Sequence, residues 1–91
     1  MAKVVTELKY PNGDTEGYLI FCPGCQRGHM FDHRWTFNGD FNKPTFSPSL
    51  LVNKDNPKSR CHSFVRDGKI QFLSDCHHEL AGQTVDLESF Y

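Results

Sequence analysis

Two groups of residues in this 91-residue chain can do chemistry: four cysteines, and two serines set in an apolar run that lies close in sequence to a histidine. Cys22-Pro23-Gly24-Cys25 puts two thiols two residues apart, and Gly24 gives the tight backbone that lets both sulfurs reach one ion. Such a knuckle is half of a tetrahedral Zn²⁺ site, and Cys61 and Cys76 are the cysteines that would close it. His78 and His29 are alternative donors for one position. Without a metal, the residues read as buried free thiols or as a redox pair, but the βαβ context of a thioredoxin-type motif is missing. A closed four-ligand site leaves no position for water, so the predicted zinc is structural and any catalysis lies elsewhere. No H-x-E segment precedes the cysteine pair, which excludes the zinc deaminase pattern.

The serines are Ser47 and Ser49 in TFSPSLL, residues 45 to 51. A serine hydroxyl is a poor nucleophile until an imidazole removes its proton, and the same imidazole can then protonate a leaving amine. His62 is the candidate base. It follows Cys61 directly, so on a strand its side chain points away from the metal. A hairpin closing with Asn53 opposite Lys58 sets Ser49 across from His62 on the same face. A one-residue slip would put the two on opposite faces. Asp75 falls on the His62 face as well, where a carboxylate can orient the imidazole. Backbone N–H groups near Asn38-Gly39 or beside Ser49 are the candidate oxyanion donors. On spacing alone, serine and histidine on adjacent strands are more often solvated polar residues than a dyad.

Strands must carry all of these groups. VVTELKY and GYLIF flank Pro11-Asn12-Gly13-Asp14, a strong hairpin signal. HMF and RWTF follow the knuckle, and Asn38-Gly39-Asp40 makes another turn. Residues 45–52 and 60–66 form the next pair of extended runs, and Asp67-Gly68 joins RCHSFVR to KIQFLSDC through a two-residue turn. That turn sets Arg66 opposite Lys69, Ser63 opposite Phe72 and Cys61 opposite Ser74. Cys76 would then be a diagonal neighbour of Cys61, within roughly 7 to 8 Å. Only HHELAGQ is suited to a helical turn or two. The predicted fold is mainly β, a small single-domain antiparallel sheet built from hairpins over residues 1–91 and stapled by a four-cysteine zinc site. A chain this short needs such a staple, and eight Phe, three Tyr and one Trp supply an aromatic core.

Ten Lys and Arg against eleven Asp and Glu give a net charge of -1 with no basic stripe, so nucleic acid is a disfavoured partner despite the knuckle. No apolar run approaches the roughly 20 residues that span a bilayer, and the N-terminus lacks a signal-peptide pattern. The expectation is a soluble cytoplasmic protein with reduced thiols. Trp35 and Phe37 alternate on a strand and read as packing residues. His77 and His78 lack the H-E-x-x-H spacing of a helical zinc site, and His77 reads as solvated.

The order CPGC, RWTFNGD, PTFSPSLL, RCHSFVRDGKIQFLSDC and HELAGQTV resembles a family of small phage and prophage proteins without an assigned function. Some of its members are called ammonia monooxygenase or anaerobic dehydrogenase, and nothing in these residues supports either name. The central segment is similar to the peptidase of bacterial ubiquitination-like (Bub) operons, with its T-x-S-P-S strand and an H-x-x-[hydrophobic]-R-x-G segment after a cysteine. Thr45 to Ser49 match the first element, and His62, Val65, Arg66 and Gly68 match the second. The resemblance implies a serine peptidase with Ser49 as nucleophile and His62 as base, favoured over Ser47, acting on a ubiquitin-like protein or its conjugates. Here the cysteine immediately precedes His62, where the family pattern sets it three residues earlier. The alternative is a non-catalytic, zinc-ribbon-like module that binds a protein partner.

Overall fold

The structure, a computed structural model, describes residues 3–88. Turn chemistry divides this span into eight strands: β1 Val5–Lys9, β2 Thr15–Cys22, β3 Arg27–Phe31, β4 Thr36–Phe37, β5 Phe46–Val52, β6 Cys61–Arg66, β7 Lys69–Phe72 and β8 Thr84–Asp86. They form two antiparallel sheets, a three-stranded one ordered β1-β2-β3 and a five-stranded one ordered β4-β5-β6-β7-β8. The fold is mainly β and antiparallel, as expected, with its hairpins divided between two sheets. The division falls between β3 and β4, where Asp32 Oδ1 accepts the Arg34 N–H at 2.9 Å and the chain turns sharply.

Each hairpin inherits its register from its turn. Asp67 and Gly68 both have positive φ, 51° and 77°, the backbone a type I′ turn requires. The pairs Arg66↔Lys69, Val65↔Ile70 and Ser63↔Phe72 follow as predicted. The β5–β6 hairpin differs from the sequence reading. Val52 pairs with Cys61, Leu51 with His62 and Leu50 with Ser63, so the residue across from His62 is Leu51 and not Ser49. The register then shifts before Phe46, which pairs with Val65. Pro48 has no N–H for the ladder, and the segment Ser47-Pro48-Ser49 bulges out as a result. The offset from the expected register is two residues, an even number, which leaves every side chain on its expected face.

Alternation along β6 then sorts the residues: Cys61, Ser63 and Val65 are buried, while His62 and Phe64 are half-buried on the outer face. The inner face packs against an aromatic cluster. Phe31 stacks on Phe46 with ring centroids 4.1 Å apart, Phe37 lies 4.7 Å from Phe46 and 4.5 Å from Tyr18, and Ile20, Val65, Ile70 and Phe72 complete the core. Trp35 and Phe37 pack against this core, in line with their sequence reading. The sheets are also tied through the backbone: Val4 N donates to Phe41 O at 2.9 Å, and Phe21 bridges Glu88.

No helix forms among the described residues. In HHELAGQ, Ala81 N bonds His78 O and Gln83 N bonds Leu80 O, one turn each, before Gly82 N and Gln83 O return to Phe72. Bonding back to β7 therefore wins over continuing a helix. No helix long and apolar enough to cross a membrane is present among the described residues.

Candidate active site and metal centre

β2 ends in the knuckle, and Cys22 is fully buried there with the Cys25 N–H pointing at its Sγ, 3.3 Å away. β6 brings Cys61 Sγ to 3.9 Å from Cys22 Sγ. The turn after β7 brings His78 Nε2 to 3.6 Å from Cys61 Sγ. The donor atoms of Cys22, Cys25, Cys61 and His78 all lie within 4.8 Å of one another. A tetrahedron built on Zn–S bonds of about 2.3 Å has edges of about 3.8 Å, so the spacing and the donor chemistry both fit a cation of the zinc class. Gly24 is part of this fit, because a Cβ at that position would land on the His78 ring.

The expected set of four cysteines is therefore changed at one position, with His78 standing where Cys76 was expected. The physical reason is that β7 stops at Phe72. Cys76 does not continue a strand beside Cys61 but sits in a turn, where its Sγ meets the backbone of His62. His29, the other alternative, is buried beside Cys22 but outside the group of four. His77 is exposed, but its Nε2 lies 3.3 Å from Cys25 Sγ, a contact that the sequence reading missed.

Crowding drives the thiols apart electrostatically. Cys22 is held down to about 3, chiefly by its hydrogen bond with Cys61, and the same bond pushes Cys61 upward. Burial pushes Cys25 up to about 11. Burial also lowers His78, which favours the neutral imidazole that coordinates metals. The clustered thiols thus compete for negative charge, and a divalent ion would remove the competition.

On the opposite face of β6, Ser49 Oγ lies 3.2 Å from His62 Nε2. The bulge at Ser47-Pro48-Ser49 makes this contact: Ser49 sits diagonally from His62 rather than across from it, and the extra chain length brings the hydroxyl to the ring. Trp35 fixes the same residue from the other side, its indole N–H donating to Ser49 O at 3.3 Å. His62 Nδ1 lies 3.4 Å from Asp75 Oδ2, with the side chains 25% and 42% exposed respectively. With Nδ1–H donated to the carboxylate, Nε2 carries the lone pair that accepts the Ser49 hydroxyl. Ser47 is exposed on the bulge, and its backbone pairs with Thr36 of β4.

Two back-bonds hold the Asp75 segment against β6: Arg60 Nε donates to Asp75 O at 3.3 Å, and His77 N donates to Arg60 O at 2.9 Å. One short turn thus delivers a carboxylate to the outer face and an imidazole to the thiol cluster. No sequence signal marks this turn, since it depends on where β7 ends.

A hydroxyl, an imidazole and a carboxylate in one hydrogen-bonded line on a small β scaffold have the arrangement of the serine hydrolase class. Residues 3–73 match the family described as bacterial ubiquitination-like system serine protease (BubE), well over half of the chain, and the protein belongs to that family. The matched span holds Ser49, His62 and three of the four metal-site donors; Asp75, Cys76 and His78 lie just beyond it. Neither a curated protein nor a solved structure matches the chain.

Proposed function

We propose that this protein is a serine peptidase in which Ser49 is the nucleophile, His62 the general base and then general acid, and Asp75 the group that orients the imidazole. The 3.2 Å contact between Ser49 Oγ and His62 Nε2 carries this reading. Ser49 Oγ attacks the substrate carbonyl as its proton passes to Nε2, and that proton then leaves with the amine of the cleaved peptide or isopeptide bond. Water, deprotonated by the same imidazole, then displaces Ser49 from the acyl group and releases the carboxylate, the proton returning to Ser49 Oγ. Family membership supports a substrate in a ubiquitination-like system, either the C-terminus of a ubiquitin-like protein or its conjugate. The donor set supports structural Zn²⁺ at Cys22, Cys25, Cys61 and His78 as the staple of a single domain, and four free cysteines fit the reducing cytoplasm as its place of action.

A fluorophosphonate probe should label the wild type, and Ser49→Ala and His62→Ala should each lower the labelling by about three orders of magnitude while the metal content stays unchanged. Labelling that persists in both variants would overturn the assignment of Ser49 and His62, and a wild type that is not labelled would leave the alternative, a metal-stapled module that binds a protein partner.

A further inference from the structure

β6 and β7 part at the residue that carries the proposed base. Leu73 N donates to His62 O at 2.9 Å, as in a regular ladder, but the Leu73 carbonyl turns away to accept the Cys76 N–H at 3.2 Å. In an antiparallel pair of this type, that carbonyl would accept the His62 N–H. Cys76 takes its place. The His62 N–H donates to Cys76 Sγ at 3.2 Å, and the Cys76 thiol donates to His62 O at 3.1 Å. One side chain thus stands in for the missing half of a strand partner, leaving no unpaired backbone group under the imidazole.

We infer that Cys76 is a positioning residue for His62 and Asp75 and not a metal ligand, a reading that rests on the Ser49–His62 assignment above. Asp75 is its immediate neighbour, so the thiol that fixes the His62 backbone also fixes where the carboxylate meets Nδ1. The geometry has little slack. The Ser49–His62 contact is already at the long end of the hydrogen-bond range, and a displacement of about 1 Å in such a constellation costs about 100-fold in rate. A metal ligand would act differently, since its loss releases the ion and with it the fold.

Cys76→Ala and Cys76→Ser separate these roles. The measurements are the rate of fluorophosphonate labelling over a range of probe concentrations, together with metal per chain. Cys76→Ala should keep the wild-type metal content and lower the maximal labelling rate about 10- to 100-fold, with the half-saturating probe concentration within about twofold of wild type. Cys76→Ser, which keeps a donor and an acceptor, should recover the rate to within about fivefold of wild type. Metal loss in Cys76→Ala would make Cys76 a ligand and overturn the inference. So would an unchanged maximal rate, or a serine variant no faster than the alanine one. A wild type that is not labelled at all would instead overturn the serine peptidase reading, and this inference with it.

Discussion

Cys61 and His62 are consecutive on β6, yet their side chains lie in opposite surroundings. Cys61 is fully buried, among donors that come from the end of β2, the knuckle and the turn after β7. His62 is a quarter exposed, on the outer face, with partners from β5 and that same turn. The alternation of a single strand keeps the thiol–imidazole cluster and the Ser49–His62 contact on opposite faces, one residue apart. The buried side is built to hold a staple, and the outer side is what the chain presents to solvent. Like β6, the turn spanning Asp75 to His78 serves both faces.

The strongest test of this division is to remove the buried side. Cys61→Ala, or chelation of the metal from the wild type, should unfold the domain and abolish labelling at Ser49, because binding free energies of about 10 to 16 kcal/mol are available to structural zinc. Acidification, which protonates the donors, should do the same. Circular dichroism and metal content would check this; a metal-free chain that stayed folded and labelled would show the faces to be independent. The outer side should fail alone. Asp75→Asn should slow labelling about 10- to 100-fold with no loss of metal, less than a buried triad aspartate, because Asp75 is 42% exposed and solvent partly replaces it.

A smaller effect is expected at Gly24. Gly24→Ala should weaken metal binding about 10-fold, measured by competition with a chelator, because the new Cβ displaces the His78 ring. The smallest is expected at Trp35. Trp35→Phe keeps the ring against Phe31 but loses the N–H bond to Ser49 O, and should cost about 1 kcal/mol in denaturant unfolding with a labelling loss of a few-fold. A loss as large as that of Asp75→Asn would mean that the indole sets the geometry of the nucleophile.

Local chemistry made part of this legible in the sequence. The Asp67-Gly68 turn specifies φ > 0 at two positions, and from that the pairing of β6 with β7 could be counted out residue by residue. Alternation then placed Cys61 and His62 on opposite faces. The β5–β6 register was not readable in the same way, because its loop has no such signature and the bulge at Pro48 shifts the ladder. Ser49 still reached His62, since the error in register was even and the bulge supplied the remaining approach. Cys76 was misplaced because the counting assumed that β7 ran on past Phe72; the Cys76 N–H bonds Leu73 O instead and ends it. His78, weighed as a substitute donor, entered the cluster through that same turn. The turn's course is fixed by Arg60 and His62, which are distant in sequence, and no short-range pattern encodes it.

In the proposed mechanism Ser49, lifted on the bulge of β5, is the residue His62 activates. Tandem mass spectrometry of the wild-type protein after fluorophosphonate treatment tests it most directly. A single phosphonylated peptide with the adduct on Ser49 Oγ is expected. An adduct on Ser47, or none on either serine in the folded, metal-loaded protein, would contradict it.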